Sequence, residues 1–412
     1  MKMDQLCGYE NEKETLRYIV DMLKNTETYK ICGAKVPAAV LFTGDVCGKR
    51  ALPYYLAEDI ERPRITVTDM EMCSDKLVQS LHDAIETAPS VLILEDIHNL
   101  DESGFTSLQD VLTISRECDV FVIASANSTS DIPSSFAGKF DYAFSLKAPV
   151  ADVWLEIVEN YIQDFPMRIA DDVSAKDIAV ALEGRGYLAL KEIMSISAGK
   201  AVYAHANELQ REHIAKALLE TVYSVDSSET VPNVENRTLA AIHEASHCAM
   251  CELFYPGYLS FVSIPMTGSF FSGVTDHRIF PSNADSDLTA GTIVTLAGMA
   301  GEEVFLGKYN GVGVRTDLQM AYAYVDFLIT EACGEGFSGL IDKSKGASEQ
   351  RKARIELLKD AKMEELYLQT KELLQANSML VHALADELMQ REFLFSSDIA
   401  RIKEQTANQM RS

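Results

Sequence analysis

Two histidines and a glutamate within five residues, His243-Glu244-Ala245-Ser246-His247, are the part of this chain best suited to chemistry. On a helix, histidines four apart share a face, and their imidazoles can grip one zinc ion. The glutamate between them then sits next to the metal, placed to take a proton from water. An ordinary helix with two histidines has the same local pattern, so the neighbours have to decide. Asn233, Asn236 and Thr238 supply helix-starting polar groups, and Leu239, Ile242, Ala249, Met250 and Leu253 recur at helical spacing. Tyr255-Pro256-Gly257 ends the run, because proline lacks the N–H and glycine tolerates the turn. The apolar residues crowd around the histidines and would set a metal against a dry wall.

A catalytic zinc keeps three protein ligands and an open position. The metzincin continuation would place Gly at 250 and His at 253, and Met250 and Leu253 exclude it. The third ligand must come from farther along, where Glu302, Glu303 and Asp317 are acidic candidates on helices. Asp317 opens a helix-like run, Asp317 to Tyr322, after the glycine-bearing loop 310–316. A carboxylate at a helix start is held by the dipole and the free N–H groups, and so can be preorganised for a metal. Cys248 and Cys251 form a CxxC in the same helix; on neighbouring rows they suit buried small hydrophobes better than a second metal site.

The elements that must position these residues follow from the rest of the 412 residues, enough for two or three domains. The first 150 residues alternate strand-like and helix-like segments. Ala38 to Phe42, Ile65 to Val67, Val91 to Leu94 and Val120 to Ala124 are apolar strands, with a helix from about Ala51 and another from Lys76 to Thr87. Continuous apolar strands in a β-α rhythm predict a parallel sheet covered on both faces, an α/β domain over 1–150. From 151 to 225 helical periodicity dominates and predicts a helical lid. Asp226 to Thr230 and Val231-Pro232-Asn233 read as a linker. A mainly α-helical domain over 233–412 follows, with a strand and hairpin region from Leu259 to Phe280.

Apolar residues are 47% of the chain and charged residues 24%, the balance of a soluble globular protein. Lys and Arg number 37 against 62 Asp and Glu, a formal net charge of -25, which argues against nucleic acid or an anionic membrane as partner. No apolar run is long enough to predict membrane insertion, and the first residues carry no secretory signal pattern. Eight cysteines without a disulfide rhythm fit a reducing compartment, so the expected location is cytoplasmic.

His243 to His247, Ala300-Gly301-Glu302-Glu303 and Thr316 to Ala321 follow one another as in the peptidase domain of the FtsH family, AAA+ proteases with a zinc active site. The resemblance runs from about Arg237 towards the C-terminus. It implies His243, His247 and Asp317 as zinc ligands and Glu244 as general base. Ser246 stands where that family usually has glycine, a change expected to alter close packing without loss of the ligands. Glu302 and Glu303 suit partners of a ligand histidine or a solvated helix face. The strand around Gly273-Val274-Thr275 resembles the edge on which the family lays its peptide substrate by backbone pairing, although a plain hairpin strand would look the same.

The first domain resembles the AAA+ module of the same family from Leu6-Cys7-Gly8-Tyr9-Glu10 onward. A working P-loop is GxxxxGK[ST], with backbone N–H groups around the phosphates, lysine on the β- and γ-phosphates and a hydroxyl on magnesium. This chain has Thr43-Gly44-Asp45-Val46-Cys47-Gly48-Lys49-Arg50. Gly48 and Lys49 survive, with Gly44 beside them as a further candidate for the degenerate nucleotide site, but Thr43 stands at the first glycine, Asp45 adds negative charge and Arg50 replaces the hydroxyl. Glu95-Asp96 reverses the family's Asp-Glu order. Asn127 fits the sensor position, whereas Phe136 and Lys139 stand where arginine fingers are expected. The segment Asp69 to Asp75 lacks the pore loop's aromatic-apolar-glycine pattern.

The expectation is a zinc endopeptidase of FtsH type acting on unfolded or flexible polypeptides, with Zn2+ as cofactor. Its degenerate AAA+ module would bind ATP or ADP with Mg2+ weakly or not at all. The resemblance further implies a hexameric homo-oligomer. A fully ATP-dependent protease and a non-catalytic zinc-containing assembly or adaptor protein are the alternatives.

Overall fold

Five short strands, most of them apolar throughout, pair side by side in parallel to form the first sheet. In this computed structural model the described residues are 2–44, 48–223, 234–264, 273–277, 285–309, 314–332 and 348–411. The chain divides into two compact units, Met1–Asp164 with Leu182–Lys191, and Phe165–Ala181 with Glu192–Ser412.

In the first unit, β1 (Ala39–Thr43), β2 (Arg64–Val67), β3 (Ser90–Leu94), β4 (Val120–Ala126) and β5 (Tyr142–Ser145) run in the order β2-β3-β4-β1-β5. All four pairings are parallel. β1, β3 and β4 are buried along their whole length, as strands covered on both faces must be. Successive side chains point to opposite faces, so the sheet feeds two cores. Leu41, Leu92, Leu94, Val122 and Ala124 join Leu77, Leu81, Leu108 and Val111 on one face. Val40, Phe42, Val91, Ile93 and Ile123 join Leu16, Ile19, Leu52 and Leu56 on the other. The covering helices are α1 (Glu10–Lys24), α2 (Thr26–Ile31), α3 (Ala51–Ile60), α4 (Ser74–Glu86) and α5 (Glu102–Glu117). The short α6 (Ser134–Ala137) and then α7 (Ala151–Gln163) flank β5. The α/β architecture agrees with the sequence reading, and β5, a short edge strand, is an addition to it. Gly48, Lys49, Glu95, Asp96 and Asn127 all follow the carboxyl ends of β1, β3 and β4, where ligands of open α/β sheets bind.

The second unit is mainly helical. It includes α8 (Ala175–Ala181), most of α9 (Gly186–Tyr203) and α10 (Arg211–Tyr223). The later helices are α11 (Val234–Phe254), α12 (Asp285–Leu306), α13 (Arg315–Thr330), α14 (Glu349–Ala376), α15 (Ser378–Arg391) and α16 (Ser396–Arg411). β6 (Leu259–Ser263) pairs antiparallel with β7 (Val274–His277) on one side and β8 (Phe393–Phe395) on the other. β7 is therefore an edge strand of this sheet. The sequence pattern shows the β6–β7 hairpin region, whereas the three-residue β8 is visible only through its pairing. The linker 226–233, P-loop residues 45–47, hairpin residues 265–272 and 278–280 and loop residues 310–313 lie outside the described residues. Among those described, no helix is long and apolar enough to cross a membrane.

Small residues let α11 and α12 approach closely. Ala245, Ala249, Ala297 and Ala300 are buried between larger partners such as Ile293, Leu296, Val325 and Leu388. The histidines of α11 thus sit inside a packed helical core, which restrains their rotamers.

Candidate metal centre

His243 and His247 lie one helical turn apart on α11, and Asp317 lies in the first turn of α13. Their metal-facing atoms form a tight triangle. His243 Nε2 and His247 Nε2 are 3.1 Å apart, and Asp317 Oδ2 is 3.2 Å from the first and 3.4 Å from the second. Three corners of a tetrahedron around zinc, with bonds of about 2.0–2.2 Å, are roughly 3.3–3.6 Å apart. The observed spacing is slightly tighter and the donor set suits zinc. These three residues are the one such His/Cys/Asp/Glu group found among the described residues.

The other ring nitrogens are committed elsewhere. His243 Nδ1 lies 2.7 Å from Glu302 Oε1, and His247 Nδ1 lies 2.7 Å from the Val294 carbonyl oxygen. Nδ1 donating to these acceptors turns each Nε2 toward the metal position, where it can offer its lone pair once its own proton is lost. Neighbouring Glu303 points elsewhere, accepting from Tyr367 Oη at 2.5 Å and Lys371 Nζ at 2.7 Å. Consecutive helical residues are 100° apart around the axis, so only one of the pair can face α11.

Glycine makes the space. A Cβ on Gly298 of α12 would lie 2.5 Å from the Nε2 atoms of both histidines, so any larger residue would fill the metal position. Gly301, one turn on, faces Ser246; an added Cβ would meet the Ser246 Cβ at 2.7 Å and collide with its hydroxyl. That hydroxyl donates to the Ile242 carbonyl at 2.6 Å. The serine at this position is therefore accommodated by a glycine on the opposing helix.

Glu244 is buried, and its Oε2 accepts a hydrogen bond from Thr275 Oγ1 of β7 at 2.6 Å. Gly273, with φ +144, passes directly over it, and a Cβ there would lie 2.7 Å from Glu244 Cγ. Gly273 to Thr275, singled out from sequence as a substrate edge, thus lie against the glutamate of the motif. Thr275 was legible as a strand residue, but nothing in the sequence shows its bond to Glu244.

In this cluster burial disfavours the charged imidazole of His243, yet its hydrogen bonds to Asp317 and Glu302 outweigh burial and raise its pKa to about 10. Burial works in the opposite direction on Asp317, and its hydrogen bonds to His243 and His247 hold its carboxyl far below the usual range. Two carboxylates on one imidazole mark a site built to hold positive charge. Cys248 and Cys251, fully buried, have thiols pushed up by desolvation, well above the ordinary value for Cys248 and to about 12 for Cys251. They are inert packing residues.

The residues of the nucleotide motif are brought together as well, but they bond to one another. Lys49 Nζ donates to Asn127 Oδ1 and lies 2.9 Å from Asp96 Oδ1. Arg50 lies 2.8 Å from Asp96 Oδ2 and 2.9 Å from Asp69 Oδ2. Glu95 Oε1 accepts from Tyr54 Oη at 2.8 Å. Gly44 donates its N–H to the Asn127 carbonyl at 2.9 Å.

A parallel α/β unit followed by a mainly helical unit with a His-His-Asp cluster is the layout of FtsH-type AAA+ zinc metalloproteases. Similarity to known proteins points to the same class. The chain is 25% identical over 429 aligned residues to ATP-dependent zinc metalloprotease FTSH 11, chloroplastic/mitochondrial, of Arabidopsis thaliana, which covers 96% of this chain and 52% of that relative. It is 23% identical over 447 residues to ATP-dependent zinc metalloprotease FtsH of Helicobacter pylori, covering 98% of this chain and 70% of the relative. ATP-dependent zinc metalloprotease FtsH 2 of a Thermoanaerobacter species is 22% identical, with 97% of this chain and 82% of the relative covered. The chain thus spans about half the length of the plant relative and more of the bacterial ones. No family model matches it. The resemblance to the FtsH family extends along nearly the whole chain.

Proposed function

We propose that this chain is a zinc endopeptidase of FtsH type that cuts unfolded or flexible polypeptides. His243, His247 and Asp317 hold the metal, Glu244 is the general base, and Gly273-Val274-Thr275 receives the substrate. The observation that carries this reading is the donor triangle of 3.1, 3.2 and 3.4 Å beside a buried carboxylate tied to an edge strand. Bound zinc would supply Lewis-acid polarisation of the scissile carbonyl and a lowered pKa for water. Glu244 accepts the proton of the attacking water and returns it to the leaving amine. An extended peptide pairs its backbone with the edge of β7, and Thr275 then connects the strand that carries the substrate to the base. With zinc bound, Asp317 would offset part of its charge and the two imidazoles would offer their Nε2 lone pairs, with His243 oriented by Glu302.

A division into an α/β domain over 1–150, a helical lid over 151–225 and a peptidase domain over 233–412 is part of the same reading, as is a homo-oligomeric ring. The altered P-loop and missing arginine fingers support a module that does not drive unfolding, and hence a preference for substrates already unfolded. The test is a protease assay on an unfolded polypeptide, with and without ATP, beside a zinc determination and a Glu244→Gln control. One zinc per chain and ATP-independent cleavage lost in Glu244→Gln is the expected result. No cleavage across varied unfolded substrates refutes the peptidase reading, and strict ATP dependence favours a working motor.

A further inference from the structure

The relatives are named as ATP-dependent, and a P-loop that binds Mg2+-nucleotide must keep four things free: its backbone N–H groups, its lysine, a hydroxyl for magnesium and a carboxylate at the end of the neighbouring strand. In the first unit of this chain the described members of that set are already engaged with one another or with neighbouring side chains. The Gly48 N–H donates to Tyr9 Oη at 3.1 Å, and the Tyr9 ring sits 3.1 Å from the position a Cβ on Gly48 would take. Lys49 is spent on Asp96 and Asn127. Arg50 stands where the hydroxyl belongs and bridges Asp69 and Asp96. The Lys49 and Asp96 side chains are only 10% and 7% exposed, so solvent screens their pair weakly. These residues do not fit Mg2+-nucleotide.

We propose that Arg50, itself half exposed, takes the place of the magnesium ion, so that Lys49, Arg50, Asp69, Asp96 and Asn127 form an ion cluster that holds the unit together without nucleotide. A divalent cation at this site would be needed to gather the phosphates and carboxylates. The guanidinium gathers two carboxylates by itself and leaves no net need for a metal. Each oxygen of Asp96 faces a cation, Oδ1 with Lys49 Nζ at 2.9 Å and Oδ2 with Arg50 at 2.8 Å. Asp96 also has a left-handed backbone, φ 52, with its N–H donating to Ser125 Oγ at 3.0 Å, and the side chain is thereby aimed at α3 rather than outward. Burial opposes ionisation of Asp96, and the bonds from Arg50 and Lys49 more than offset it, keeping the carboxyl below its ordinary value. The inference is independent of whether the second unit is a peptidase.

The chain has one tryptophan, Trp154, buried in α7 of the first unit, and its fluorescence reports unfolding of that unit. Full-length protein is melted with and without Mg2+, ATP and Mg2+-ATP at millimolar concentration. The expected result is an unchanged midpoint in every case; a midpoint raised by Mg2+-ATP overturns the proposal. Arg50→Ala and Asp96→Asn are then compared singly and together. Each should lower the midpoint, and the double variant should lose clearly less than the two losses added, because both remove one shared contact. Additive losses overturn the cluster. If Asp96→Asn fails to fold, the nucleotide titration of the unaltered chain still decides.

Discussion

Thr275 Oγ1 donates to Glu244 Oε2 at 2.6 Å, which ties edge strand β7 to the acid between the two histidines. A hydrogen bond to a charged group contributes about 1.5–3 kcal/mol. Thr275→Val should therefore lower kcat by roughly ten- to a hundredfold with little change in KM, and Thr275→Ser should recover most of it. Steady-state kinetics on an unfolded substrate checks this; a loss confined to KM would mean that Thr275 serves only the strand.

Gly298 leaves the space between the two imidazoles. Gly298→Ala places a methyl group 2.5 Å from both Nε2 atoms, so the rings or the helix must shift. Zinc content after dialysis should fall sharply while circular dichroism keeps its helical signature. Retention of a full equivalent of zinc would mean that the metal lies elsewhere.

Glu302 Oε1 lies 2.7 Å from His243 Nδ1, so on the proposed reading it acts on the metal through that histidine. Glu302→Gln keeps the shape but removes the charge, and the loss of such a partner typically costs about 10–100-fold in metal affinity. Competition with a chelator measures it. Glu303→Gln, on the Tyr367 and Lys371 side, should leave zinc affinity unchanged.

Ser246 and Gly301 are matched in size across α11 and α12. Gly301→Ala should destabilise the second unit by about 1–3 kcal/mol through overpacking, and Ser246→Gly added to it should restore most of the loss. Thermal melts of the four chains, followed by far-ultraviolet circular dichroism, complete the cycle, and additivity would show that the two positions do not meet.

Asp141 clamps the start of β1. It accepts from the Ala38 and Ala39 N–H groups at 2.9 and 3.1 Å and from Lys35 and Arg116. Burial raises its pKa, but the bonds from Arg116, Lys35 and the two amides outweigh burial and bring it down to about 2 from 3.8. A depressed carboxyl contributes stability that is complete above the unfolded value and is lost as pH falls through the folded one. Asp141→Asn should thus cost about 2 kcal/mol near neutral pH, with the difference from the parent vanishing toward pH of about 2. Urea unfolding followed by Trp154 fluorescence measures it at each pH.

Much of the architecture was legible because local rules dictate it. Val91 to Leu94 and Val120 to Ala124 had to be strands buried on both faces, since no amphipathic pattern breaks them. β5 and β8 were not legible: Tyr142–Ser145 is half exposed, and three residues at Phe393–Phe395 carry no period. Both exist because a neighbouring strand offers backbone partners, which is a non-local fact.

The chemistry divides along the same line. The sequence alone determined that His243, Glu244 and His247 share one stretch of helix, because the pitch of a helix places residues four apart on one face. It also places Arg50 directly after Lys49, where the P-loop pattern has a hydroxyl residue. Only the tertiary structure shows which carboxylate lies at which ring nitrogen of His243, Asp317 at Nε2 and Glu302 at Nδ1, because that follows from the packing of α11 against α12 and α13. It likewise placed Thr275 on the glutamate and Arg50 on two carboxylates. Such contacts join residues far apart in the chain, and their distances follow from how helices and strands pack rather than from spacing along the sequence.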